Sequence, residues 1–185
     1  SDLYKRQAGI RYRQGDIADL DLGETVDAVA GRLVLLHVSD PVAVLLRLAR
    51  CVRPGGIVTF QDISCSRVRG VPQVPAMRDW VDWMFALSAH AGLDADIGEH
   101  LPALFARAGL TRVNAVAVSV IGDSTSLVPR YLAQTLTSVG PLAAASGAAT
   151  PQQVAGFLDR LLEQAVAHGS VLHAQELTGV WALSL

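Results

Sequence analysis

Between Val26 and Ile63 the hydrophobic pattern changes period twice. VDAVAGRLVLLHV is apolar at nearly every position and stops at the turn-forming Ser39-Asp40-Pro41. VAVLLRLARC then repeats its apolar residues at three- and four-residue steps, the spacing of an amphipathic helix, and Pro54, Gly55 and Gly56 close it. IVTFQDI follows as a second β-rich run. Strand, helix and strand at this spacing predict a right-handed βαβ crossover. Both runs are apolar on successive residues (Val26, Ala28, Val29, Ala30; Ile57, Val58, Phe60), as in parallel strands covered on both faces. Ligands of open parallel sheets bind at the carboxyl ends of the strands. Here those ends carry Gly31-Arg32 and Gln61-Asp62.

The flanking pattern adds further elements. Residues 2–8 read as the last turns of a helix capped by Gly9, and Ile10 to Gln14 alternates as a short strand ending in Gly15-Asp16-Ile17. Beyond Ile63 a loop with two prolines leads to a helix over Arg78 to Ala91, whose Trp80, Val81, Trp83, Met84, Leu87 and Ala91 share helical spacing. A short helix is predicted over Glu99 to Ala108, and a strictly alternating strand over Thr111 to Ile121. A helix from Leu127 to Val139 is expected to break at Gly140-Pro141, with residues 143–149 a small-residue linker. Thr150, Pro151 and Gln153 form a capping-box start for a helix reaching His168-Gly169, and a last strand runs from Val171 to Leu185. The 185 residues read as a single domain.

Composition narrows the function. The chain is 51% hydrophobic and 17% charged with a net charge of −2, so it has the composition of a folded domain. Its 14 arginines are scattered and balanced by 17 acids, which argues against nucleic acid as a partner. No apolar span of about 20 residues suits a bilayer, and the polar start has no signal-peptide core, so a cytoplasmic protein off the membrane is expected. Cys51 and Cys65 have no metal-ligand spacing and read as reduced thiols; the histidines are isolated, and no metal site is expected. Ser64 and Ser66 lie in no nucleophile-elbow pattern.

Three segments in order, YRQGDIADLDL, VDAVAGRLVLLHVSDP and LARCVRPGGIVTFQDI, resemble the class I S-adenosylmethionine-dependent methyltransferases of the small-molecule type. The resemblance implies an α/β, Rossmann-like fold, a mostly parallel sheet with flanking helices. It implies S-adenosylmethionine as cofactor and methyl transfer to a small organic acceptor. One lysine against 14 arginines fits a GC-rich bacterial source. By the same resemblance, Gly15, Asp16 and Ile17 would grip the adenine, and Gly31, Arg32 and Leu33 would line the methionine moiety. His37 would stand near the methyl group as the catalytic candidate. Gln61, Asp62, Trp80, Trp83 and Met84 would face the substrate, with residues 64–100 and 127–168 as helical pocket or lid segments.

Each residue has a plainer reading: Asp16 as a turn cap, Arg32 as a surface charge, His37 as a loop-ordering group, the tryptophans as core. The family's glycine-rich first loop and its second-strand acid have no counterpart before Gly15, so the fold reads as an N-terminally incomplete methyltransferase fold. In the family's sheet order of third, second, first, fourth, fifth, seventh and sixth strands, the edge of the Val26 strand is then bare. An upstream segment, a homodimer completing the sheet by exchange or strand addition, or a module that has lost the cofactor and acts by association would each account for it. A nicotinamide-dependent Rossmann enzyme is the weaker alternative.

Overall fold

A computed structural model describes residues 10, 12–20 and 22–184. The helix tail expected at residues 2–8 lies outside them. The central crossover forms as the pattern predicts: β1 (Val26–Arg32), α1 (Pro41–Cys51) and β2 (Val52–Ser64), with β1 and β2 parallel. Asp40 starts α1 by accepting from the Ala43 N–H at 3.0 Å, with Pro41 in the first turn. Val44, Leu45 and Leu48 form its buried stripe. The helix stops at Cys51, three residues before the proline expected to end it, and the Pro-Gly-Gly turn belongs to the start of β2. Gly55 takes φ +75° there, and backbone hydrogen bonds tie Gly55 and Gly56 to Ser184.

After β2 come β3 (Arg69–Val71), α2 (Pro75–Ala91), α3 (Ile97–Arg107), β4 (Thr111–Gly122), α4 (Val128–Ala145), α5 (Pro151–Ala155), α6 (Phe157–His168) and β5 (Val171–Leu183). β5 pairs antiparallel with β2 and, further along, with β3, while β4 pairs antiparallel with β5. The order β1, β2, β5, β4 is the fourth, fifth, seventh and sixth of the expected arrangement. The mostly parallel sheet needs one qualification. Only β1 and β2 pair in parallel; β5 enters reversed, so its three neighbours run in the common direction but bond to it antiparallel.

Two apolar clusters hold the chain together. Leu45, Leu48, Leu101 and Phe105 of α1 and α3 pack on Val58, Phe60, Val180 and Ala182, one face of the sheet. Trp80, Leu132, Leu136, Phe157 and Leu161 of α2, α4 and α6 form a helical layer with Cys65, Leu172 and Ala174. The other face of the sheet departs from expectation. Ala28, Ala30 and Ile57 are exposed, so these strands are covered on one side only among the described residues. Full burial was inferred from apolar content, and that content cannot report whether a second layer is present.

Three local expectations change. Residues 10 and 12–14 form no strand, since an alternating pentapeptide has no pairing partner there. α4 continues through Gly140 and Pro141. The proline withholds one N–H from the Thr137 carbonyl, an exposed position that water can satisfy, while Leu136 and Ala143 keep the buried stripe continuous. The helix predicted from Thr150 to His168 divides at Gly156 into α5 and α6. Its capping box is as predicted: Gln153 N–H donates to Thr150 Oγ1 at 3.2 Å, and Thr150 N–H to Gln153 Oε1 at 2.8 Å.

Candidate functional site

The parallel pair brings Gly31-Arg32 and Gln61-Asp62 together at one sheet end, with Gly31 beside Phe60 and Arg32 beside Gln61. Arg32 Nε donates to Gln61 Oε1 at 3.0 Å and pairs with no carboxylate among the described residues. The chain then reverses at Leu33, whose φ of +53° is in the left-handed region a branched apolar residue rarely adopts. Its N–H donates to the Gln61 carbonyl at 2.8 Å, which locks the reversal. Backbone strain of this kind is retained where surrounding structure imposes it, commonly at binding sites.

Asp62 sits differently from expectation. It is fully buried, and Oδ2 accepts from the Leu35 N–H at 3.1 Å, with the Leu36 and Val34 N–H groups also directed at the carboxylate. It therefore holds the 3-10 turn Leu35–His37. Oδ1 completes no hydrogen bond. Burial outweighs these N–H contacts and raises the carboxyl to about 6. His37, at the end of that turn, is exposed. Asp62 thus supports the backbone carrying both the strained Leu33 and the catalytic candidate.

Gly31 is small for a packing reason. A Cβ there would lie 2.2 Å from the Phe60 ring, so the ring occupies the space a side chain would need. Gly31→Ala is expected to cost about 1–3 kcal/mol through overpacking, read as a lowered urea midpoint; an unchanged midpoint would mean Phe60 swings aside freely.

The other expected ligands divide. Asp16 Oδ1 accepts from the Ala18 N–H at 2.8 Å and its carbonyl from the Asp19 N–H, the turn-capping role. Gly15 and Asp16 are exposed, while Ile17, Ala18 and Leu20 pack against the cluster beneath α1. No hydrogen bond or ion pair joins Asp16 to Arg32 among the described residues. Trp80, Trp83 and Met84 are core. Trp80 is fully buried and its Nε1–H donates to the Leu132 carbonyl at 3.1 Å. Trp83 meets Phe157 edge-on, with the Arg160 guanidinium 5.6 Å from its ring centre. Expected to face a substrate, these residues join α2 to α4 and α6. Phe85 of the same helix stays exposed.

Tyr131, in the first turn of α4, was not foreseen. Burial raises its phenol, while a hydrogen bond with Thr135 and the charge of Arg32 act the other way. One tyrosine in a helical turn has no spacing signal to mark it. Cys65 is buried with its thiol pushed up to about 12 by burial and by Asp96 and Asp94, which makes it unreactive. No group of three or more metal-ligating side chains exists among the described residues.

Comparison with known proteins fits this geometry. Residues 2–60, about a third of the chain, match the family model described as a methyltransferase domain. The YcgJ protein of Bacillus subtilis aligns with 95% of this chain and 71% of its own, at 12% identity and a TM-score of 0.52. Phosphoethanolamine N-methyltransferase 2 of Haemonchus contortus, solved with phosphomonomethylethanolamine and S-adenosylhomocysteine, aligns with 91% of this chain at 12% identity and a TM-score of 0.46. This chain spans 36% of that enzyme's length. No curated protein matches in sequence. The fold is Rossmann-like, and the first segments, from which the resemblance was read, have a matching family model. No helix among the described residues is long and apolar enough to cross a membrane.

Proposed function

We propose that the chain serves S-adenosylmethionine-dependent methyl transfer to a small organic acceptor, at the sheet end where β1 and β2 finish. The observation that carries this reading is the Arg32 guanidinium, held by Gln61 at the carboxyl ends of two adjacent parallel strands and free of any carboxylate among the described residues. Its remaining N–H donors suit the carboxylate of an amino-acid moiety. Asp16 has acceptor capacity beyond its turn bond and suits an exocyclic amine. When bound, S-adenosylmethionine supplies an electrophilic methyl group on a sulfonium with a neutral leaving group. The chain's own contribution is alignment: Gln61 orients Arg32, and Asp62 fixes the turn that carries His37. A ring nitrogen of His37 would accept the proton released by an oxygen or nitrogen acceptor.

Calorimetric titration tests the reading. S-adenosylhomocysteine should bind and NAD should not, and Arg32→Ala should weaken binding by about tenfold or more, as for a lost hydrogen bond to a charged group. Binding of NAD alone would point to a nicotinamide enzyme. Binding of neither ligand would support a module acting only by association.

A further inference from the structure

A cleft of about 230 Å³ lies between β3, the Cys65–Arg67 turn and one flank of α2. Its lining falls wholly within residues 66–82, one continuous and fully described stretch. Val68, Val74 and Met77 are buried and form an apolar floor, with Val81 beside them. The wall between β3 and α2 is anchored from several sides. Ser170 Oγ donates to the Pro72 carbonyl at 2.8 Å, and the Ala76 N–H donates to Gln164 Oε1 at 2.8 Å. Gly70 allows the close turn, since a Cβ there would stand 2.5 Å from Val74 Cγ2. A wall fixed in advance spares a ligand the cost of ordering it. The rim carries the charge. Arg69 and Arg78 line the cleft from β3 and α2, and neither meets a carboxylate among the described residues. By contrast Arg67 pairs with Glu99 at 2.6 Å and Arg160 with Asp79 at 2.9 Å. Arg69 uses one N–H on the Arg67 carbonyl at 3.3 Å and keeps its other donors. Asp82, also without an ion pair among the described residues, lines the same cleft one helical turn past Arg78. That spacing separates the two Cβ atoms by about 6 Å.

We propose that this cleft binds a small zwitterion: a carboxylate between Arg69 and Arg78, an apolar body on the valines and Met77, and an ammonium at Asp82. Guanidinium forks match the geometry of a carboxylate and bond it through paired N–H donors. A phosphate dianion would set more like charge against Asp82, so the singly charged carboxylate fits better. The apolar floor excludes water on one side, which strengthens the contacts at the rim. The site uses none of the residues assigned to the cofactor, and it does not depend on methyl transfer.

Calorimetric titration at neutral pH with para-aminomethylbenzoate, an apolar ring carrying both charges, tests the proposal. A cavity of ~150 Å³ admits benzene, so about 230 Å³ admits this ring with its two substituents. The parent should bind it, with benzoate and benzylamine each weaker by about tenfold for the charged contact they lack. Arg69→Gln and Arg78→Gln should each weaken the zwitterion by about tenfold. Both side chains are exposed, so the urea midpoint should stay at the parent value. Arg50→Gln, on α1 and outside the cleft, should bind as the parent does. No binding to the parent, benzyl alcohol binding as tightly as the zwitterion, or binding that survives both arginine substitutions together would each overturn the proposal. S-adenosylhomocysteine affinity should be the same in Arg78→Gln as in the parent; a loss there would assign Arg78 to the cofactor and overturn it as well. A chain that binds the zwitterion but no S-adenosylhomocysteine would lose the methyl-transfer reading and keep this one.

Discussion

Trp80→Ala is expected to lower the unfolding free energy by about 3–5 kcal/mol, the range for removing a fully buried aromatic. Trp80 has no exposed surface and its indole N–H bonds the Leu132 carbonyl, so the substitution opens a cavity between α2 and α4 and removes their polar link. Domains of this size commonly hold 5–15 kcal/mol in all, so much of the stability is at stake. Urea unfolding followed by circular dichroism measures it. The same experiment separates a core tryptophan from a pocket tryptophan. A loss below about 1 kcal/mol, together with weakened ligand binding, would return Trp80 to the substrate side.

Asp62→Asn is expected to flatten the pH dependence of stability between about pH 4 and pH 7. Burial raises the folded-state carboxyl to about 6 from 3.8. In that window the folded chain binds more protons than the unfolded one, so the contribution of Asp62 is full below the unfolded value and is lost as pH rises through 6. A shift of about two units corresponds to roughly 3 kcal/mol at most. Asparagine keeps an acceptor for the Leu35 N–H and carries no charge to bury, so parent minus variant should fall across the window. Asp62→Ala should instead cost about 1–3 kcal/mol at every pH, because the N–H groups of the turn lose their acceptor. Parallel urea titrations from pH 4 to 8 decide it. Identical slopes for parent and asparagine variant would show that Asp62 ionises as a hydrated carboxylate does.

The two outcomes bear on the site differently. Trp80 reports on the helical layer behind the sheet, while Asp62 holds the turn that presents His37 and adjoins Leu33 and Arg32. If that turn loosens in Asp62→Ala, ligand binding at Arg32 should weaken although no ligand contact has been removed.

Much of the arrangement was legible before any coordinates. The crossover over residues 26–63 was readable because a run of consecutive apolar residues and a 3.6-residue repeat are distinct periods. That Gly31-Arg32 and Gln61-Asp62 end neighbouring strands on one side followed from strand direction, while the register that pairs Arg32 with Gln61 came from the structure. Strand β4 and the Thr150 cap were equally plain, since alternation and capping chemistry are local. The fate of Trp80, Trp83 and Met84 was not, because one apolar stripe serves a core and a pocket alike. Nor could spacing show that Asp62 turns inward or that Leu33 takes a left-handed backbone.

Local order along this chain, then, was determined by its own sequence: where helices start, where strands alternate, and which residues end the parallel pair. Tertiary structure alone decided what those residues do. Whether a carboxylate meets solvent or a ring of backbone N–H groups depends on elements distant in sequence. The same holds for the sheet: apolar content marks a strand that favours burial, but only the packed layers reveal which of its faces has been covered.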